Sequence, residues 1–518
     1  TLATRIKTGA LAGIEGLAVC AEVDISRGLP GFHLVGLPGA EVRESRDRVM
    51  AALRHSGVRL PVGKITVNLA PAGVRKAGAS FDLAIAMGVV AAAEPVSREG
   101  GPGQRSQAMF LGELSLFGEV RPVRGLRAIV LAAAHAGETR VVVPAEQAWE
   151  ARLVAGVQVV GVGHLGDAVR WWRTGLAPQE VGGGASPLRP EPGAGDPSRL
   201  LAGLEGQPSV RKAAVLAAVG GHHLLLVGPP GTGKTRLARI LARLQGPLDR
   251  ETALEVTRIH SAAGLLREPA MMTERPFRAP HHTVTRAGLA GGGAVPRPGE
   301  ATLAHGGLLF LDEFPQFAPG VLDVLREPLE EGAISLARGG GRHVLPARFQ
   351  LVAAMNPCRC GFLGSTHRSC RCGQGDRTRY LARLSGPLLD RFDLFVEVGP
   401  WEGKFLTRDK LAATGGIPNS PGTARWRDMP TRDHLAGGRR RLAAWRQRPD
   451  RDLLTPEAAA FLDASRVPLG LSLRGVKRCL TVARTIAALD GKPRLSEAAV
   501  REALGFRREM GMLVGVEA

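Results

Sequence analysis

The chain has 518 residues, enough for three or four domains that each bury a core of their own. Its 68 Lys and Arg against 48 Asp and Glu leave a net charge of +20, an excess that fits a polyanionic partner. No apolar run reaches the ~18 residues of a membrane span and no basic-then-apolar leader opens the sequence, so no membrane role and a cytoplasmic location are expected; a single Tyr leaves no aromatic platform for stacking bases.

Residues 1–175 mix strand-like stretches (17–25 and 64–69) with apolar helical runs (81–93 and 126–136), the pattern of a compact α+β domain. Residues 176–198 are rich in Gly, Pro and Ala with few large apolar side chains, a linker composition. An α/β core is expected over 199–400, with a helix at 208–219. A polar, Arg-rich connector fills 401–450 and includes the run Arg439-Arg440-Arg441, read as a solvated helix face. Helical periodicity returns over 451–512.

The core opens with a short apolar stretch, 223–227, then Gly228-Pro229-Pro230-Gly231-Thr232-Gly233-Lys234-Thr235, then a helical pattern over 236–244. That is the strand–loop–helix setting of a P-loop. The glycines let backbone N–H groups turn toward phosphate oxygens, and the helix N-terminus adds partial positive charge. Lys234 is placed to reach the β- and γ-phosphates of ATP, and Thr235 to ligate Mg²⁺. A second buried-strand pattern, 307–311, ends in Asp312-Glu313. Asp312 is expected to hold Mg²⁺ and Glu313 to polarise the attacking water. Gly206 and Gln207 are expected near the adenine.

The motifs C-terminal to this pair come in an order that resembles an AAA+ ATPase. A strand over 350–355 ends at Asn356, which would orient the lytic water. Arg391, in Ser385–Asp393, is placed like an arginine finger that reaches a neighbouring subunit's nucleotide. Arg474, at the start of a late helix over 474–489, is placed like the second sensor arginine.

Four of the six cysteines form Cys358-x-Cys360-x₉-Cys370-x-Cys372. Four thiolates so close in sequence match a closed structural Zn²⁺ site, although the Cys-x-Cys spacing is tighter than the common Cys-x₂-Cys, and His367 could replace one ligand. Arg359, Arg368 and Arg371 share that loop and could touch DNA. Two further stretches could grip a strand. One is 275–293, with Arg278, His281, His282 and Arg286, where the histidines read equally well as a structural pair beside the ATP site. The other is 333–349, a hairpin pattern with Arg338 and Arg342 around a Gly turn.

Glu22–Gly39, Ile65–Ala72, Arg275–Thr283, Pro298–Gly307 and Asn356–Gly361 together carry a wider likeness. On these stretches the chain resembles the YifB/ComM family of magnesium-chelatase-like AAA+ proteins, over almost its whole length apart from the linker and the stretch near 401–450. The resemblance implies a homo-hexameric ATPase with a Lon-protease-like (S5 domain 2-like) α+β N-terminal domain, an AAA+ P-loop α/β core and a C-terminal helical lid. It implies a DNA branch-migration helicase of natural transformation or recombination, acting on single-stranded or branched DNA. Ser80 stands where the Lon nucleophile would be, but Arg127 occupies the place of its partner lysine. An arginine does not deprotonate near neutral pH, so peptidase chemistry is not expected. The alternative reading is a magnesium-chelatase-like motor acting on a protein or metal-insertion partner.

Overall fold

The computed structural model describes the chain outside residues 1, 37–38, 61–62, 72–77, 95–107, 179–195, 203, 205–206, 267–269, 294–295, 339–340, 364–367, 400–429 and 515–518. Side chains at 2, 40–41, 337–338, 341–342 and 508–514 are also outside the description. Gly206, His367, most of the expected linker and the first part of the connector therefore lie outside the described residues.

The N-terminal unit is built on strands β1 (Leu2–Ala12), β2 (Glu15–Ser26), β3 (Gly31–Val35), β4 (Lys64–Ala70), β5 (Met109–Phe110), β8 (Arg140–Pro144) and β9 (Gln158–Val162), with a small hairpin of β6 (Glu113–Leu114) and β7 (Val120–Arg121). The large sheet is mixed, in the order β3-β4-β2-β1-β5-β8-β9. Alternation along β2 buries Val19, Ala21 and Val23, which join helices Ser45–His55 and Asp82–Ala93 in one apolar cluster. Helix Leu126–His135 lies close on β1 and β2, and a Cβ at Gly9 or Gly16 would collide with Ile129 or with the Ala128 carbonyl.

The central sheet is fully parallel, in the order β11-β14-β17-β10-β18. Its strands are β10 (Leu224–Val227), β11 (Phe277–Arg278), β14 (Leu308–Leu311), β17 (Gln350–Met355) and β18 (Leu394–Glu397). By order in the chain this is fifth, first, fourth, third, second, read from the β18 edge. Both faces are covered, so β10, β14 and β17 are buried at every position. Leu224, Leu226, Phe310, Val352 and Val396 face helices Pro208–Gly220 and Lys234–Leu244. Leu225, Leu309, Leu311, Leu351 and Phe395 face the other way, onto Phe314, Phe317 and Phe392. A short ribbon of β12 (Gly291–Gly292) and β13 (Arg297–Pro298) lies between β11 and β14 in sequence.

The hairpin pattern after residue 332 forms as β15 (Ala333–Arg338) paired with β16 (Gly341–Pro346). Leu345 is buried with Ile14, Ile259 and Ala262, so the base of this hairpin packs on the β1–β2 turn of the N-terminal unit. The same joint is pinned by polar contacts. Arg127 Nη1 donates to the Leu254 carbonyl at 2.9 Å, Gly125 N–H donates to the Ser261 carbonyl at 3.2 Å, and the Ser261 hydroxyl bonds Glu150.

Among the described residues the C-terminal part holds four helices of eleven residues or more, Arg432–Trp445, Pro456–Arg466, Leu473–Leu489 and Glu497–Val514, and the short helix Asp450–Leu453. Leu435, Leu480, Val482, Ile486 and Val500 share one apolar cluster with Pro208–Gly220 and the sheet. The Arg439–Arg441 run is not a solvated face. Arg439 Nη2 donates to the Leu244 carbonyl at 2.7 Å and Arg441 Nε to the Ala488 carbonyl at 2.5 Å, and only Arg440 is exposed. Among the described residues no helix is long and apolar enough to cross a membrane.

Candidate nucleotide site

The parallel register sets the site. Val227 pairs with Met355, and Leu311 lies opposite Ala353, so Gly228, Asn356 and Asp312 leave the sheet at one edge. Ligands of open α/β sheets bind at this C-terminal edge. Gly231 and Gly233 take positive φ of 81° and 87°, conformations that suit glycine, and the loop turns directly into helix Lys234–Leu244. Lys234 is buried. Its Nζ donates to the carbonyls of Gly228 at 2.7 Å and Pro229 at 2.8 Å, and to Asn356 Oδ1 at 3.3 Å. Burial pushes its pKa down, and the nearby Asp312 carboxylate opposes that shift. Thr232 Oγ1 ties back to the Pro229 carbonyl at 2.9 Å.

Thr235 Oγ1 donates to Asp312 Oδ2 at 2.9 Å, which joins the two expected Mg²⁺ ligands across β10 and β14. A hydroxyl beside a carboxylate at a phosphate-binding loop is an all-oxygen donor set that fits a hard cation. Asp312 Oδ1 also accepts the Glu313 N–H at 2.9 Å. Glu313 has φ 51°, the only positive φ at a non-glycine among the described residues. Its carboxylate is half exposed, and its Oε2 lies 3.3 Å from His282 Nδ1.

Asn356 is held from its other side by Tyr380, whose hydroxyl donates to the Asn356 carbonyl at 3.2 Å. Burial raises the Tyr380 pKa to about 12, so the hydroxyl stays protonated and remains a donor. Nothing in the sequence singled out this tyrosine, because its partner lies 24 residues away on a different element.

The four cysteine sulfurs converge within 4.8 Å of one another. Cys358 and Cys360 Sγ are 3.4 Å apart, Cys358 and Cys370 3.7 Å, and Cys360 and Cys370 3.6 Å. A disulfide needs ~2.05 Å, whereas a tetrahedron of ~2.3 Å metal–sulfur bonds places its sulfurs ~3.8 Å apart. The donor set therefore fits Zn²⁺. Backbone N–H groups of Phe362 and Arg371 pull the Cys360 pKa down to about 6, toward the thiolate a metal takes. Arg359, Arg368 and Arg371 are exposed around the cluster, with the Arg368 guanidinium 4.8 Å from the Phe362 ring centre. The loop also touches the P-loop, since a Cβ on Gly361 would collide with Pro230.

Arg391 and Arg474 lie together, but at the other end of the sheet. Both donate to Glu330 Oε1, Arg391 Nη2 at 2.5 Å and Arg474 Nη2 at 3.0 Å. One turn beyond Arg474, Arg478 Nη1 donates to Asp393 Oδ1 at 2.6 Å. Asp393 Oδ2 accepts the N–H of His223, the residue before β10. The four residues of β10 separate that end from the P-loop by ~13 Å. Arg474, expected as the second sensor arginine, therefore stands at the end of the sheet away from this chain's own P-loop. Arg391 is buried and Arg474 is half exposed.

The expected DNA contacts divide. Arg278 grips Glu300 through Nε at 2.6 Å and Nη2 at 2.7 Å, so its charge is answered within the chain. Arg286 is exposed at the first position of helix Arg286–Ala290. Arg338 and Arg342 sit on the two hairpin strands next to the turn, and their side chains lie outside the described residues. Ser80 does not cap the helix it precedes. Its hydroxyl donates to the Gly9 carbonyl at 2.9 Å, and it lines a cleft of about 450 Å³ with Arg48, Arg124 and Arg297.

Three family models match the chain. Residues 201–405 match "Magnesium chelatase, subunit ChlI", residues 21–147 "Subunit ChlI of Mg-chelatase", and residues 446–507 "Magnesium chelatase, subunit ChlI C-terminal". The competence protein ComM of Haemophilus influenzae is 39% identical over 510 residues, covering 97% of this chain and 96% of that protein. YifB of Escherichia coli, an uncharacterised protein, is 38% identical over 519 residues, 99% of this chain and 98% of its own length. A shorter match of 33% over 177 residues, 34% of this chain and 21% of the other, is to a probable DNA helicase MCM9 of Oryza sativa. With 38–39% identity to YifB and ComM over nearly the full length and a P-loop core of this order, the chain belongs to the YifB/ComM family of magnesium-chelatase-like AAA+ ATPases.

Proposed function

We propose that this chain is an ATP-hydrolysing, ring-forming DNA motor that acts on single-stranded or branched DNA, in the manner of a branch-migration helicase. The observation that carries the ATPase part is the meeting of Lys234, Thr235, Asp312, Glu313 and Asn356 at one sheet edge. Backbone N–H groups of the loop and Lys234 bind the phosphates, Thr235 and Asp312 hold the cation, and Asn356 orients the attacking water while Glu313 takes its proton. Mg²⁺ bound there would neutralise charge on the transferring phosphoryl group.

The two arginines at the far end of the sheet support a ring. From there they serve the nucleotide of a neighbouring copy, with Arg391 as the finger and Arg474 beside it. The hexameric state, the Lon-like descent of the N-terminal unit and the lid role of the C-terminal helices rest on the family resemblance. Zn²⁺ held by Cys358, Cys360, Cys370 and Cys372 would stiffen the loop between Asn356 and Tyr380.

Three observations support DNA as the track: the net charge of +20, the name of the competence relative, and the name of the partial helicase relative. Exposed Arg286 and the hairpin arginines are the proposed contacts, made to phosphates with little base preference. The family models carry the name of a magnesium chelatase subunit, which favours the second reading, a motor on a protein partner. Steady-state ATPase with and without four-way-junction DNA separates the two. The DNA reading expects stimulation that fades as salt rises and is absent in Lys234→Ala. Robust hydrolysis indifferent to every DNA would leave the protein-partner reading.

A further inference from the structure

The stretch after β17 is cationic out of proportion to its size. Residues 357–383 hold six arginines and one aspartate, with no lysine and no glutamate. Two of the arginines are answered within the chain. Arg379 Nη2 pairs with Asp376 Oδ1 at 3.0 Å, and Arg377 Nη2 turns inward onto Cys370 Sγ at 3.8 Å. Arg359, Arg368, Arg371 and Arg383 are exposed and form no ion pair among the described residues. A tetrathiolate Zn²⁺ centre brings two negative charges and still leaves the stretch cationic.

The cysteines decide where two of these charges stand. Each Cys-x-Cys pair has an arginine at its centre, Cys358-Arg359-Cys360 and Cys370-Arg371-Cys372. Because the four sulfurs converge within 4.8 Å, Arg359 and Arg371 project from one small knot. Like charges held together repel, and an anion between them removes that cost. Guanidinium groups fork phosphate oxygens well. A second copy of the chain is a poor occupant, since it too carries +20. Among the described residues no large exposed apolar side chain lies on 357–383 to anchor a protein partner.

The stretch is also joined to the nucleotide site. Cys358 lies two residues beyond Asn356, Gly361 packs on Pro230, and the Tyr380 hydroxyl donates to the Asn356 carbonyl at 3.2 Å. We propose that the four-cysteine loop is a DNA-phosphate site, with Arg359 and Arg371 as its paired contacts, and that a strand held there steadies Asn356 and so raises ATP turnover. The contacts are to the backbone and carry little base preference. The inference rests on the DNA reading above and adds the place where the track is sensed.

The test uses full-length protein with its metal: wild type, Arg359→Ala/Arg371→Ala, Arg359→Lys/Arg371→Lys, Tyr380→Phe, and Arg440→Ala as an exposed arginine elsewhere. A fluorescent thymidine oligonucleotide gives the Kd over a range of salt. Elemental analysis gives zinc, native mass spectrometry gives the assembly, and kcat is read with and without saturating DNA. The alanine pair is expected to keep its zinc and to weaken DNA binding about tenfold at low salt. Its slope of log Kd against log salt falls by ~1.4, or ~0.7 for each lost contact to a single strand. The lysine pair recovers most of the affinity, and Arg440→Ala keeps it. Tyr380→Phe binds DNA as the wild type does but loses most of the stimulation of kcat. An unchanged Kd and salt slope in the alanine pair overturn the proposal, as does lost assembly with DNA affinity intact, which would turn the patch toward a second copy. Full stimulation in Tyr380→Phe overturns the relay to Asn356. If the alanine pair sheds zinc, Arg359→Gln/Arg371→Gln, which keeps longer side chains without the charge, carries the same test. Wild-type protein that binds no DNA at any salt would instead sink the DNA reading itself.

Discussion

Asn356 is approached from two sides, by Lys234 Nζ on its Oδ1 and by the Tyr380 hydroxyl on its carbonyl. Its amide is therefore pre-set before any ligand arrives, which is what a group that orients a transition state requires. Asn356→Ala is expected to lower kcat about a hundredfold with little change in ATP affinity. Equal losses in kcat and affinity would assign it to ground-state binding. The P-loop, Asp312-Glu313 and Asn356 were legible in the sequence because each is a short local pattern at the end of an apolar run. Their partners were not. His282 and Glu313 are brought together by the pairing of β11 with β14, and Arg278 finds Glu300 at the start of helix Glu300–Leu303, 22 residues on. Periodicity carries no record of such contacts between separate segments.

At the scale of elements, the four-cysteine loop joins two parts of the site, since Gly361 packs on Pro230 and Tyr380 comes just after the cluster. One Zn²⁺ per chain is expected by elemental analysis, lost in a Cys358→Ser/Cys360→Ser double variant together with much of the DNA-stimulated ATPase. Unchanged metal content and activity in that variant would remove the site. The spacing predicted the cluster because all four ligands fall within one loop, so no long-range folding information was needed.

The opposite end of the sheet carries a pH dependence. His223 Nδ1 accepts the Leu351 N–H at 3.0 Å, a bond only the neutral ring can make, and burial lowers its pKa from 6.5 to about 4. The folded value lies below the unfolded one. Its contribution to stability is thus full above pH 6.5 and is lost as pH falls toward 4. The buried His222 is shifted in the same direction by burial and adds to the effect. A urea midpoint that falls between pH 7 and pH 5, less so in His223→Asn, is the expected result. Equal slopes in the two proteins would contradict it.

At the scale of the whole molecule, we propose that the two ends of the parallel sheet hold complementary halves of an ATPase site. One end carries the P-loop, and the other carries Arg391 and Arg474 on Glu330. Motif order alone suggested the finger, but the shared glutamate and the distance from the P-loop belong to the tertiary fold. Lys234→Ala and Arg391→Ala should each be inactive alone yet regain ATPase when mixed, because some interfaces then pair an intact loop with an intact arginine. No recovery, with mixed rings verified by mass, would place both groups in one subunit's reaction. The N-terminal unit is joined to the P-loop core through Arg127, Glu150 and the buried Ile14–Leu345 contact, none of it visible in local pattern.

We propose that nucleotide turnover at this site drives movement along DNA. The direct measurement is dissociation of a mobile four-way junction by purified full-length protein, resolved on a gel with ATP, without ATP, and with Lys234→Ala or Glu313→Gln in place of the wild type. The DNA-motor reading predicts junction dissociation only with wild-type protein and ATP, weakening as salt screens the phosphate contacts. Vigorous ATP hydrolysis beside an intact junction at every salt concentration would contradict it.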